Sequence, residues 1–169
     1  MGGELEAAMV APIAAARPVA TPLATPFTTP LERKGNRVFD HLGVYVSDLR
    51  NSARLYTSVL AELGITLLQD HTGADGSGRL VFGTGAPRSP FFVLAHGRPA
   101  HWQAQHTIGL SPMHIAFAAP SRAAVDAFHA TGVRCGALNN GEPGVRSRSY
   151  YCAFLVDGDG NNIEAGVYL

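Results

Sequence analysis

From residue 38 onward the chain switches between two spacings of apolar residues, and each switch predicts an element. In VFDHLGVYVSDL (38–49) apolar and small or polar residues alternate, which predicts a strand, and Ser47 or Asp48 stands where a following helix needs its cap. In LRNSARLYTSVLAELG (49–64), Leu49, Ala53, Tyr56, Leu60 and Leu63 recur at three- and four-residue steps, an amphipathic helix closed by Gly64. Three short strand candidates follow, ITLLQD, RLVFG and FFVLAH, separated by turns rich in glycine and proline. The pattern then restarts. MHIAFAAPSRAAVDAFHATG (113–132) again predicts strand, cap, helix and glycine, with Ser121 as cap, Val125 and Phe128 facing the core, and Gly132 ending the helix. VRCGAL, SYYCAFLV and NIEAGVYL are the strands expected after it.

Side by side, DHLGVYVSD and MHIAFAAPS open two diverged copies of one unit. His41 lies fifteen positions before Tyr56, and His114 lies fourteen before Phe128. The expectation is a repeat of about 70 residues, strand-helix-strand-strand-strand. One unit alone leaves a face of its sheet open. Pairing two, within the chain or across a dimer, covers that face and forms a groove.

Both units place a histidine at the second residue of the first strand. Because side chains alternate across a strand, His41, Gly43 and Tyr45 share one face, and the greasier Leu42, Val44 and Val46 share the other. His114, Ala116 and Ala118 separate in the same way from Ile115 and Phe117, and Asn162, Glu164, Gly166 and Tyr168 from Ile163, Ala165 and Val167. Three strands thus present His, His and Glu on their non-helix faces, among small neighbours that leave room for a ligand. Two imidazoles and a carboxylate bind a divalent ion and leave coordination positions open. Such an ion also accounts for Glu164, since a buried ionised carboxylate is costly without a partner.

These segments carry a family resemblance. FDHLGVYVSDLRNSARLYTSVLAELG, MHIAFAAPSRAAVDAF and YYCAFLVDGDGNNIEAGVY resemble the vicinal-oxygen-chelate superfamily of glyoxalase I, extradiol dioxygenases, epimerases and bleomycin-binding proteins. The last resembles the family's Asp-Pro-Asp-Gly-Asn-x-Ile-Glu signature, with Gly158 in place of proline. The resemblance implies an α+β fold of paired βαβββ modules, a cupped mixed sheet with helices outside, module 1 at about 38–97, a linker at 98–111 and module 2 at about 112–169. It puts His41, His114 and Glu164 on metal-ligand positions, for one divalent ion (Fe, Mn, Zn, Ni or Co), with Glu164 also catalytic. One departure is visible: the further glutamate of glyoxalase I falls at Val93 or a neighbour, where no carboxylate stands. The implied function is a metal-dependent lyase, isomerase or ring-cleaving dioxygenase acting on a small oxygen-rich molecule. The alternative is a metal-free binding protein of the bleomycin-resistance type. A fosfomycin-type thiol transferase would want a cation-binding loop that the sequence does not offer. By analogy with single-domain relatives the chain is expected to be a homodimer.

The remaining chemistry is sparse. Tyr45 and Tyr168 share faces with the ligands and are substrate-binding candidates, as is Arg148; either Arg146 or Arg148 could hold an anion. Tyr150, Tyr151 and Phe154 read as core aromatics, and His129 as a solvated helix residue. His96, His101 and His106 fall in the link between modules, where one could serve as a distal acid or base. DGDG (157–160) lacks the ligand ladder of a calcium loop and reads as a tight turn. GADGSG lacks a phosphate-loop lysine and reads as a hairpin or loop.

Residues 1–36 differ from the rest. PVATPLATPFTTP repeats Thr-Pro every four residues, which favours an extended segment. The apolar run before it is preceded by Glu4 and Glu6 and interrupted by Pro12, so it makes a poor secretory signal. A transit peptide is the lesser alternative to a cytoplasmic location. Thirteen basic and thirteen acidic residues cancel, giving no footprint for nucleic acid or an acidic membrane. Cys135 and Cys152 stand far apart and are expected as reduced thiols.

Overall fold

The computed structural model describes residues 38–110 and 112–169; the reading of residues 1–36 as an extension lies outside them. Eight strands and two helices run in the order β1 (His41–Tyr45), α1 (Leu49–Ala61), β2 (Thr66–Asp70), β3 (Gly78–Gly83), β4 (Phe91–His96), β5 (His114–Ala118), α2 (Arg122–Arg134), β6 (Leu138–Ser147), β7 (Tyr150–Val156) and β8 (Asn162–Tyr168). They form two four-stranded mixed sheets, ordered β1-β4-β3-β2 and β5-β8-β7-β6. In each sheet the first and last strands of a unit pair in parallel and the others pair antiparallel. The βαβββ repeat is therefore real, and the fold is α+β.

Local chemistry sets the boundaries. Asp48 caps α1 by accepting from the Asn51 backbone N–H, and Ser121 caps α2 by accepting from that of Ala124. Gly64 takes φ 74° beyond α1. Gly132, expected to end α2, does not: the helix runs two residues further and stops at a Cys135 cap followed by Gly136 at φ 94°. The glycine serves a different purpose. A Cβ at residue 132 would collide with Leu155 Cδ1 and lie 3.3 Å from Val59, so its absence lets α2 approach β7 and α1 closely. As a result Val133 and Arg134 are helical, and the strand expected at VRCGAL begins only at Leu138.

The helices pack on each other and on one face of each sheet. Tyr56, Val59, Leu60, Phe82, Leu94, Val125, Phe128, Leu155 and Ile163 share one continuous core. The DGDG turn helps join the halves. Asp157, 5% exposed, accepts from Tyr56 Oη at 2.8 Å and from the backbone and side chain of Asn161 at 2.8 and 2.9 Å. Asp159 accepts from the Ser47 backbone N–H at 3.1 Å. Burial and the Asp157 charge hold the Tyr56 phenol far above its ordinary range. The turn reading thus holds, and its first carboxylate ties module 2 to α1 of module 1.

His129 is a correction. It is buried on α2, its Nε2 3.0 Å from Asn139 Oδ1, because β6 closes over that helix face. Among the described residues no helix is long and apolar enough to cross a membrane.

Candidate metal centre

The two units can be superposed in register. In sheet 1 His41 pairs with Phe91 and Gly43 with Val93; in sheet 2 His114 pairs with Asn162 and Ala116 with Glu164. Val93 therefore occupies the position in module 1 that Glu164 occupies in module 2, in line with the departure read at that residue.

Module 2 builds a compact polar cluster on its non-helix face. His114 Nε2 lies 3.1 Å from Glu164 Oε2, while Asn162 Nδ2 lies 2.8 Å from the other ring nitrogen and orients it. Glu164 is only 5% exposed, yet His114 keeps 54% of its side chain in solvent, so the pair is reached from the cup side. Tyr150 and Cys152, on the same face of β7, stand beside Glu164. Burial, with the Glu164 carboxylate beside it, raises the Tyr150 phenol above its usual range. Burial, with the Glu164 charge, pushes the Cys152 thiol up to about 11.

Gly166 makes this possible. A Cβ there would overlap the Tyr150 hydroxyl, so the Tyr150 ring reaches Glu164 across a residue with no side chain. Sequence reading missed Tyr150, which looked like core. The available signal was phase: β7 alternates Tyr150, Cys152 and Phe154 on the cup face with Tyr151, Ala153 and Leu155 on the helix face. Tyr151 instead bonds Asp126 on α2.

His41 does not join this cluster within the chain. Its ring stacks on Phe91 with centroids 4.8 Å apart, and its Nδ1 lies 3.1 Å from Asp40 Oδ1. Both histidines line an apolar cleft of about 660 Å³ between the edge strands β1 and β5, but among the described residues no three His, Cys, Asp or Glu converge closely enough to hold a metal. His41, Gly43, Tyr45, Arg79, Val81 and Val93 line a separate open groove of about 550 Å³ on the cup face of sheet 1. Its counterpart on sheet 2 is shallower, about 260 Å³ around Ala116, Ala118, Tyr150 and Tyr168.

The other candidates are placed as follows. Tyr45 is half-buried in the groove with its ring 5.1 Å from Trp102. Tyr168 is 80% exposed at the end of β8, against Tyr150. Arg146 and Arg148 are both exposed, Arg148 in the turn between β6 and β7 and Arg146 over Phe154, 5.7 Å from its ring centroid. His96 bonds the Val46 carbonyl at 2.8 Å, His106 accepts from the Gln103 backbone at 3.0 Å, and His101 lines a cavity with Trp102.

Comparison with solved structures identifies the architecture. A glyoxalase/bleomycin resistance protein from Albidiferax ferrireducens T118 is 29% identical and matches over 79% of this chain and 100% of its own, with a TM-score of 0.61. The chain has the vicinal-oxygen-chelate fold. A glyoxalase/bleomycin resistance protein/dioxygenase family enzyme from Burkholderia phytofirmans PsJN (16% identity, 77% and 98% coverage, TM-score 0.56) has the same fold. So does TioX from Micromonospora sp. ML1 (13% identity, 78% and 98% coverage, TM-score 0.59). No protein-family model matches the chain, and no curated protein matches it.

Proposed function

We propose that the chain is a metal-dependent enzyme of the glyoxalase and dioxygenase type, with His114 and Glu164 of one protomer and His41 of a second copy as the ligands. The observation that carries this reading is Glu164: a 5%-exposed carboxylate in an apolar strand, facing a cup, with a half-exposed imidazole as its ionisable partner. One imidazole is a single partner for that carboxylate, and a divalent cation held by both would compensate its burial more fully. The donor chemistry fits, since the histidine is oriented through its other nitrogen and the carboxylate stands beside it with Tyr150 close by.

The second copy enters because one chain leaves both cup faces open and, among its edge strands, β1 and β5 paired on one side only. Isologous pairing of sheet 1 from one protomer with sheet 2 from the other covers both faces and brings a histidine to each His114–Glu164 couple.

When bound, the ion would supply Lewis-acid stabilisation of oxyanion charge on a substrate that chelates through adjacent oxygens. The chain's own residues do the rest. Tyr150, beside Glu164, would help hold that carboxylate in place. Phe154 and the small residues Ala116 and Ala118 leave a flat apolar floor for the substrate. The groove lined by Val81, Val93 and Tyr45 forms the opposite wall and excludes water. Val93 supplies no second carboxylate, which disfavours a proton shuttle of the glyoxalase I kind and favours ring-cleaving chemistry.

Elemental analysis of protein purified without chelator or histidine tag tests the reading. About one equivalent of transition metal per chain, lost in Glu164→Ala, is expected. Metal-free protein that stays metal-free after reconstitution would overturn it and leave a small-molecule binding protein.

A further inference from the structure

Strand β6 is irregular in a way that serves one side chain. Its pairing with β7 breaks register three times, between Asn139 and Gly141, between Gly141 and Gly144, and between Val145 and Ser147. Irregularities of this kind re-aim side chains. The residue re-aimed is Arg146. Gly144 pairs with Cys152 on the cup face, and the Arg146 guanidinium lies over Phe154, a cup-face residue of β7.

Two glycines make room for it. A Cβ on Gly141 would stand 3.3 Å from Arg146 Nη2, and one on Gly144 would stand 3.2 Å from Nη1. Nη2 donates to the Glu142 carbonyl at 2.6 Å, which fixes the fork, and the guanidinium leans over the Phe154 ring. Phe154 is the cross-strand neighbour of Glu164, and its ring lies 6.3 Å from that of His114. Among the described residues no carboxylate lies within ion-pair distance of Arg146. The result is an exposed, tethered cation over a cup-face aromatic ring, one side chain away from the proposed metal ligands.

We propose that Arg146 is the anion-recognising residue of this site, and that the substrate carries a carboxylate as well as its chelating oxygens. The proposal rests on the metal-centre reading above. Strands β8 and β6 stand two strand spacings apart, about 10 Å, and the lean of the guanidinium over Phe154 shortens that span. The carboxylate therefore sits about one aromatic ring's length from the chelated oxygens. A monoanion suits the site better than a dianion, because Glu164 already contributes negative charge there. The planar fork of arginine matches a carboxylate in two-point fashion. Arg148, out in the turn, has no comparable placement.

The test uses two ligands that chelate alike and differ in one group: catechol and 3,4-dihydroxybenzoate, titrated calorimetrically into full-length protein loaded with zinc. The expected result is a preference of about tenfold or more for the carboxylate, lost in Arg146→Gln and kept in Arg148→Gln, with the zinc content of both variants unchanged. Equal affinity for the two ligands, a preference that survives Arg146→Gln, or one that disappears with Arg148→Gln instead, overturns the proposal. If the protein takes up no zinc, the metal reading has failed, and benzoate is titrated into the metal-free protein. Binding lost in Arg146→Gln still supports the anion site, and absent or unaltered binding overturns it.

Discussion

The two modules share a backbone plan and differ in what they place on the cup face. Module 2 puts Glu164 beside His114, a glycine at residue 166, and Tyr150 across that glycine. Module 1 puts Val93 and Ala95 at the matching positions and stacks His41 on Phe91. One half has become a polar cluster with little free volume; the other is an open groove with one histidine at its edge. Duplication provided two equivalent frames, and three substitutions on the cup face separate a charge-bearing half from a shape-bearing one. A site that draws on both needs the frames facing each other.

The comparison can be broken at its strongest point first. Glu164→Ala makes module 2 resemble module 1 where the charge lies, and metal affinity should fall by at least about 100-fold, because a ligand is lost and not merely its support; competition against a fluorescent zinc chelator reads this. Next comes the tie between the modules. Asp157→Ala strands the Tyr56 hydroxyl and the Asn161 donors in the core, and urea unfolding should report a loss of about 3 kcal/mol. An unchanged midpoint would mean that the turn does not bind the halves together.

Two smaller changes convert one module toward the other. Gly166→Ala gives module 2 the alanine of module 1, pushes Tyr150 off Glu164, and should weaken metal binding by about tenfold. Val93→Glu gives module 1 the carboxylate of module 2, and should strengthen metal binding by about tenfold if the two faces meet. The smallest effect concerns Cys152. Burial first, and the Glu164 charge second, favour its neutral thiol, so the reactive thiolate forms only as pH rises toward about 11. Iodoacetamide should therefore label half-exposed Cys135 first, and Cys152 only at strongly alkaline pH; in Glu164→Ala the Cys152 profile should move to lower pH.

The repeat, both helix caps and the phase of His41, His114 and Glu164 were legible in the sequence, because strand alternation and capping are local. Other features depend on close approach in space. Gly132 looked like a terminator until Leu155 was seen to occupy the space its side chain would fill. His129 looked solvated because the strand that buries it lies ten residues away. Tyr150 looked like core because nothing in SYYCAFLV says that it crosses Gly166. Arg146 and Arg148 are indistinguishable in GVRSRSYY, and only the irregular pairing of β6 separates them. That His41 stands apart from its partners within one chain depends on how the two sheets sit, which no strand pattern encodes.

The most direct measurement is metal retention by mixed variants. His41→Ala and Glu164→Ala proteins, each metal-free alone, are unfolded together, refolded as a mixture and loaded with zinc. If the centre joins sheet 1 of one copy to sheet 2 of another, half the dimers are mixed and each has one complete site, so about a quarter of the wild-type zinc should return. No recovery, with both variants folded and dimeric, would contradict a site shared between copies.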